Sequence, residues 1–302
     1  MGKIAFVFSG QGDQFPGMGK ELYEKYPIAQ EIFNLCDQIR NGTIEQCFSG
    51  SDEELKETKN TQPCLFAMEY ACAKVLCQLG IVPNSVAGFS LGEVVASAFA
   101  GVFDVNTGFN LVCKRGELMQ IEAEKHDTSM AAVVKLKADK VTEICCGLES
   151  VYPVNFNCPG QISVAGLNSE MTKLAELVKA EGGRAIPLKV KGAFHSPFMK
   201  EASIAFSNIL SQFEFKNPSI ELYSNVTAMP YNENIKELLS RQICSPVRWE
   251  ELICNMISSG VDTFIEIGPG KTLTNMIKKI NAEVRAYSGL DIETILAEVK
   301  VC

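Results

Sequence analysis

The stretch Val86-Ala87-Gly88-Phe89-Ser90-Leu91-Gly92-Glu93 constrains the fold more than any other part of the chain. Its short apolar run predicts a buried strand, which passes through one serine into LGEVVASAFAG, a predicted helix. A strand that becomes a helix within a residue or two leaves room only for small residues beside the turn. Such a unit belongs to an α/β fold with a parallel sheet. Ser90 is then either a nucleophile raised on a strained elbow, where a helix N-terminus stabilises developing negative charge, or an ordinary residue of a Gly-Ser turn. The Gly-x-Ser-x-Gly pattern alone leaves both open.

The rest of the chain extends the α/β reading. Residues 4–8 (IAFVF) form a buried-strand pattern ending in Ser-Gly-Gln-Gly, and helical segments follow over about 18–40. Residues 61–79 are apolar nearly all round and predict a buried helix, and a further helix over about 106–124 carries Arg115. From about residue 127 the predicted order is strand, helix, strand, strand, helix, strand, ending in RAIPL. That split β-α-β order predicts a ferredoxin-like small subdomain over 127–192, inserted into a large subdomain made of 1–126 and 193–302. After Ser196 the α/β pattern resumes, with helices around Glu237 and Trp249, strand TFIEIG, helix KTLTNMIKKI and strand VRAYSG.

Bulk properties exclude several classes. The 302 residues are 46% hydrophobic and 21% charged with no low-complexity tract, which is a globular composition. A net charge of −8 disfavours a nucleic-acid surface. No apolar run approaches the roughly 18 residues of a membrane span, and the N-terminal apolar stretch is too short for a secretory signal. No membrane association and a cytoplasmic location are therefore expected. The twelve cysteines include no Cys-x-x-Cys pair and read as small core residues; with only two histidines, no metal site is expected.

A serine nucleophile needs a base. His126 lies at a charged helix end, Glu122-Ala-Glu-Lys-His-Asp-Thr, and reads as solvated. His195, in Gly-Ala-Phe-His-Ser-Pro, is either the base or a capping or core histidine. Arg115, in FNLVCKRGELMQ, is either paired at a surface or projects from a buried helix flanked by Leu111, Val112, Leu118 and Met119. In the second case its guanidinium needs a planar acid, and a substrate carboxylate would serve. Two glycine-rich segments fail on spacing as nucleotide motifs. Ile265 stands where a phosphate loop ending in Gly270-Lys271-Thr272 requires glycine, and Phe15 stands where a dinucleotide fingerprint starting at Gly10 requires its third.

Taken in order, FSGQGDQFPGMG, VAGFSLGEVVA, KRGELMQ, NFNCPGQISVAG, KGAFHSPFM, RQICSPVRW and FIEIGPGKTL resemble the malonyl-CoA:acyl carrier protein transacylases over nearly the whole chain. The resemblance implies an α/β-hydrolase-like large subdomain with a parallel sheet, interrupted by the ferredoxin-like one. It implies Ser90 as nucleophile, His195 as base and Arg115 as the clamp for a substrate carboxylate. Backbone N–H groups of Gln11 and Leu91 would form the oxyanion hole, and the main-chain carbonyl of Gln242 would orient His195. Asn157 and Gln161 would line the cleft.

The implied reaction carries malonyl from malonyl-CoA to holo acyl carrier protein, with no bound cofactor, and supplies fatty-acid biosynthesis. A discrete acyltransferase of a polyketide pathway, a serine thioesterase or hydrolase, and a non-catalytic carrier-binding scaffold are the alternatives. Ala193-Phe194 resembles the malonyl-selective form of the family's motif. Phe89 departs from the family, which usually has histidine before the nucleophile. Because the carrier is acidic, Lys189, Lys191, Lys271, Lys278 and Lys279 are expected to flank the cleft entrance and steer it. A monomer is expected.

Overall fold

The computed structural model describes residues 2–299; Met1 and residues 300–302, included in the expected large subdomain, lie outside the described residues. The chain opens with β1 (Lys3–Phe8), α1 (Lys20–Lys25), α2 (Pro27–Ile39), α3 (Thr43–Ser49), α4 (Thr58–Gln78), β2 (Ser85–Gly88), α5 (Leu91–Phe99) and α6 (Val105–Glu124). There follow β3 (Thr128–Val134), α7 (Ala138–Cys146), β4 (Val151–Cys158), β5 (Gln161–Leu167), α8 (Asn168–Ala180) and β6 (Arg184–Lys191). The last stretch holds α9 (Lys200–Leu210), β7 (Glu221–Leu222), α10 (Ile235–Gln242), α11 (Trp249–Ser258), β8 (Val261–Ile267), α12 (Thr272–Ile280), β9 (Arg285–Ser288) and α13 (Ile292–Glu298).

Five strands form a parallel sheet in the order β7-β2-β1-β8-β9. Because β1 is central and covered on both faces, Ala5, Phe6, Val7 and Phe8 are all buried, as a continuous apolar run in a parallel sheet requires. Phe8 pairs with Gly88 on one side and with Ile267 on the other, so the chain leaves three adjacent strands at one edge. Carboxyl ends of parallel strands are where α/β folds build their sites. The loop after β1 carries Gln11, the turn after β2 carries Ser90, and the Gly-Pro-Gly turn follows β8.

The second sheet is antiparallel, in the order β4-β5-β3-β6. Strand alternation divides its faces. Val133, Ile162 and Val164 pack with Val141, Leu174 and Val178 of α7 and α8, whereas Ala132 and Ser163 face the cleft. The antiparallel sheet is tied to the segment before α11, where Phe156 N–H donates to Val247 O (2.9 Å) and Val247 N–H to Val154 O (2.9 Å).

The structure adds three elements beyond those legible in the sequence: α3, α13 and β7. At two residues, β7 is too short to show any alternation, and its pairing with β2 comes from tertiary packing. Helix α4 starts at Thr58, three residues before the expected 61, with most of its residues buried.

Candidate active site

Ser90 occupies a left-handed backbone position (φ 55°, ψ −104°) between β2 and α5. The turn is so tight that a Cβ on Gly88 would lie 1.9 Å from the Gly92 carbonyl carbon, and one on Gly92 would lie 2.3 Å from Phe8 O. Both positions therefore exclude every side chain, which accounts for the glycines around the serine. The Ser90 N–H is held by Asn225 Oδ1 (2.8 Å) and the Gly92 N–H by Phe89 O (3.0 Å), while the Leu91 N–H between them opens α5.

His195 is also left-handed (φ 61°) and buried, on the turn that follows β6. The Ser196 hydroxyl donates to Ala193 O (2.5 Å) and accepts from Phe198 N–H (3.3 Å), which folds this turn, and the His195 N–H donates to Ile243 O (3.1 Å). Its Nδ1 lies 2.9 Å from the Gln242 carbonyl and its Nε2 lies 2.7 Å from Ser90 Oγ. A carbonyl can only accept, so Nδ1 carries the proton and Nε2 presents its lone pair to the serine. Strain at two neighbouring functional groups is backbone energy that the surrounding packing must hold.

Arg115 of α6 is completely buried. Its Nη1 donates to Gln62 Oε1 (2.8 Å), and its Nη2 donates to Gln242 Oε1 (2.7 Å) and Ser90 Oγ (3.2 Å). The Nε–H is buried without a partner among the described residues. Burial lowers the guanidinium to about 10, so it remains charged at neutral pH. Burial, helped by the Arg115 charge, depresses His195 to about 4 and keeps the imidazole neutral at neutral pH. Behind them lies fully buried Glu93, whose carboxyl burial pushes up to about 7.

A cavity of about 90 Å³ lies in front of Ser90, walled by His195, Gln11, Gln62, Met119, Met130 and Phe194 among others. At about 30 Å³ per water this is the volume of some three waters, the scale of a short acyl group. It adjoins a pocket of about 200 Å³ that shares Gln11, Phe89, Asn155 and Leu188 and adds Asn157, Gln161 and Ser163. Asn157 donates to Ser163 Oγ (3.2 Å), but Asn155 Oδ1 and Asn157 Oδ1 are both buried without partners among the described residues. Phe89 packs edge-on against Trp249 with ring centroids 5.5 Å apart, joining an apolar cluster at the position where the resemblance expects histidine.

The five lysines are exposed. Lys279 Nζ reaches Gln161 Oε1 (3.4 Å) at the rim of the larger pocket. Lys189 and Lys191 line a separate groove of about 610 Å³ with Lys56, Glu53, Glu57 and Glu124, so that wall is of mixed charge. His126 is exposed near Glu122 (3.8 Å) and is not among the residues lining the cavity at Ser90.

Five polar residues at the site escape sequence reasoning: Gln62, Glu93, Asn155, Asn225 and Tyr231. Glu93 had a usable signal, a lone acid within an apolar helix, which is the pattern that singled out Arg115. Asn225 and Tyr231 lie in a loop with no periodicity, and only the fold brings Asn225 to Ser90 and Tyr231 to Glu93.

The family model described as "Acyl transferase domain" matches residues 5–297. The chain is 40% identical over 303 aligned positions to the malonyl CoA-acyl carrier protein transacylase of Bacillus subtilis (strain 168), covering 98% of this chain and 96% of that one. Among solved structures, the malonyl CoA-acyl carrier protein transacylase of Clostridium perfringens superposes with a TM-score of 0.94 at 34% identity, covering 99% and 98% of the two chains. A type II PKS acyl-carrier protein in complex with its malonyl-transacylase gives 0.92 at 33% identity, covering 95% of each. Half-buried Ser90, with buried His195 and Arg115 against it, thus sits in a frame shared along the whole length of these enzymes, and the chain belongs to the acyl transferase family.

Proposed function

We propose that this protein transfers a malonyl group from malonyl-CoA to the pantetheine thiol of acyl carrier protein, with Ser90 carrying the group as an ester, and so supplies the extender unit for fatty-acid biosynthesis. One observation carries this reading: a neutral imidazole and a buried guanidinium converge on the same oxygen, Ser90 Oγ, at 2.7 and 3.2 Å. A base beside a nucleophile supports acyl transfer in general. The guanidinium adds selectivity for an acyl group with a free carboxylate.

In the first half-reaction His195 Nε2 takes the Ser90 proton as Oγ bonds to the thioester carbonyl carbon. The Leu91 and Gln11 N–H groups take the tetrahedral oxyanion, whose collapse breaks the C–S bond and returns the proton to the CoA thiolate. The carrier thiol then gives its proton to His195 and attacks the ester, and Ser90 Oγ leaves with that proton. Both halves are acyl transfers, so the reaction needs no cofactor. Arg115 exchanges a neutral partner for the malonyl carboxylate, a stronger charge-assisted bond. Acetyl brings no carboxylate, leaves the guanidinium without its anion, and is rejected.

We take residues 127–192 as the inserted subdomain that closes the cleft with Asn157 and Gln161, and the lysines around it as the landing site for the acidic carrier. The same reading places the reaction in the cytoplasm. The test is a transfer assay in which malonyl-CoA and holo carrier are incubated with the protein and the carrier's mass is followed. A malonyl-carrier product supports the reading. Release of free malonate with the carrier unmodified would make the protein a hydrolase instead.

A further inference from the structure

Glu93 takes no part in the steps above, yet it lies one helical turn after Ser90 and is completely buried. Its carboxylate collects three donors: Asn225 N–H (3.0 Å) and Tyr231 O–H (2.6 Å) on Oε1, and Gln242 Nε2 (2.6 Å) on Oε2. A backbone N–H and an amide NH₂ have no lone pair to offer a carboxylic acid, so this shell is built for the ionised form.

Gln242 is the hub of the site. Its Nε2 also donates to Ser90 O (2.6 Å), its Oε1 accepts from Arg115, and its main-chain carbonyl accepts from His195 Nδ1. Turning the amide round would set Nε2 against the guanidinium and Oε1 against three acceptors, Ser90 O, Glu93 Oε2 and Asn225 Oδ1. One side chain therefore links the base, the guanidinium and the nucleophile's backbone, and its anionic anchor is Glu93. The charged and titratable groups facing Glu93 are Tyr231, from the loop before α10, and Arg115, from α6; the segment after β7 and α10 itself present neutral Asn225 and Gln242. Burial raises the carboxyl to about 7 against the pull of all four.

We propose that Glu93 is a positioning residue whose ionised carboxylate locks the Gln242 amide and thereby aims His195 and Arg115 at the acyl group on Ser90. This rests on the malonyl-transfer reading. A proton on Glu93 removes the anionic acceptor from Gln242 Nε2 and lets the amide turn. Acyl loading then falls as the pH drops through about 7, although His195 remains a neutral base down to about 4. The acid limb of loading belongs to Glu93.

The experiment measures the rate of Ser90 acylation across acidic and neutral pH by rapid quench and intact mass. The donor is malonyl-N-acetylcysteamine thioester, which has no phosphate to titrate in that range. For the wild type the rate is expected to fall about tenfold per pH unit below the limb, as loss of one essential ionised group requires. Glu93→Gln should lose the limb and load roughly a hundredfold more slowly at its plateau, with a narrower preference for malonyl over acetyl donor. Tyr231→Phe removes a donor to the carboxylate without touching Gln242, and should move the limb to higher pH; it decides the matter if Glu93→Gln does not fold. A wild-type rate flat below neutral pH, a limb that survives Glu93→Gln, or one unmoved in Tyr231→Phe overturns the proposal. Absence of any wild-type adduct would overturn the malonyl reading and this inference together, whereas adducts with identical profiles in all three proteins overturn only the inference.

Discussion

The two walls of the cleft solve opposite problems. Behind Ser90, on the parallel-sheet side, Glu93, Asn225, Tyr231, Gln242, Gln62 and Arg115 are buried and bonded to one another or to the elbow, with the Arg115 Nε–H the exception. Across the cavity, on the antiparallel sheet, Asn155 and Asn157 bury carbonyl oxygens with no partner among the described residues. Unsatisfied buried acceptors are costly and call for an explanation. The contrast teaches that the first wall holds groups whose charge and aim must be set before substrate arrives. Under the proposed function, the second wall would leave acceptors for donors that the substrate brings, such as the amides of a pantetheine arm.

Breaking the first wall should have the largest effect. Arg115→Ala is expected to slow malonyl loading by roughly a hundred- to a thousandfold and to narrow the discrimination against acetyl-CoA, because Glu93 loses its buried counter-charge and the carboxylate its clamp. Rates of adduct formation with the two donors check this, and an unchanged malonyl-to-acetyl ratio would refute the clamp.

The same wall predicts a pH signature in stability. His195 is depressed from the ordinary 6.5 to about 4, so between these values the unfolded chain binds the proton and the folded chain does not. The contribution of His195 is fully present above about 6.5 and declines by about 3 kcal/mol as the pH falls to about 4. Glu93 acts with the opposite sign over its own window, so the informative quantity is the wild type minus His195→Gln difference in urea unfolding. That difference should shift against the wild type by about 3 kcal/mol as the pH falls from about 6.5 to about 4, and a flat difference would contradict the depressed imidazole.

The second wall should yield smaller, binding-type effects. Asn157→Ala is expected to raise KM for malonyl-CoA by about five- to tenfold, about 1 kcal/mol, with kcat little changed. A fall in kcat at constant KM would instead place Asn157 with the chemical wall. Reversing Lys189 and Lys191 to glutamate should raise KM for the carrier a few-fold, less at high salt, without altering loading from malonyl-CoA. The neighbouring Glu53, Glu57 and Glu124 keep this expectation modest.

These walls also differ in how far the sequence reveals them. Ser90 is legible because a strand, a turn and a helix occupy consecutive residues, and glycines mark the turn. The antiparallel sheet is legible because its order of elements is distinctive and local. His195 and Arg115 stand out by scarcity and by an ionic group in an apolar helix. The network joining them is not legible: Gln242 lies 152 residues from the Ser90 carbonyl it holds, and Asn225 lies 135 from the Ser90 N–H. Such contacts follow from three strands ending at one edge and from α10 packing behind it. No local pattern encodes them. Phe89 belongs to the same class, since its place against Trp249 is set by packing.

The central claim is that Ser90 carries the acyl group, and the most direct test is the intact mass of the purified protein after brief exposure to malonyl-CoA. The account predicts a single malonyl adduct that maps to Ser90, persists in buffer, disappears on addition of holo acyl carrier protein and is absent from Ser90→Ala. An adduct that survives Ser90→Ala, or turnover of malonyl-CoA with no adduct at any time, would contradict it.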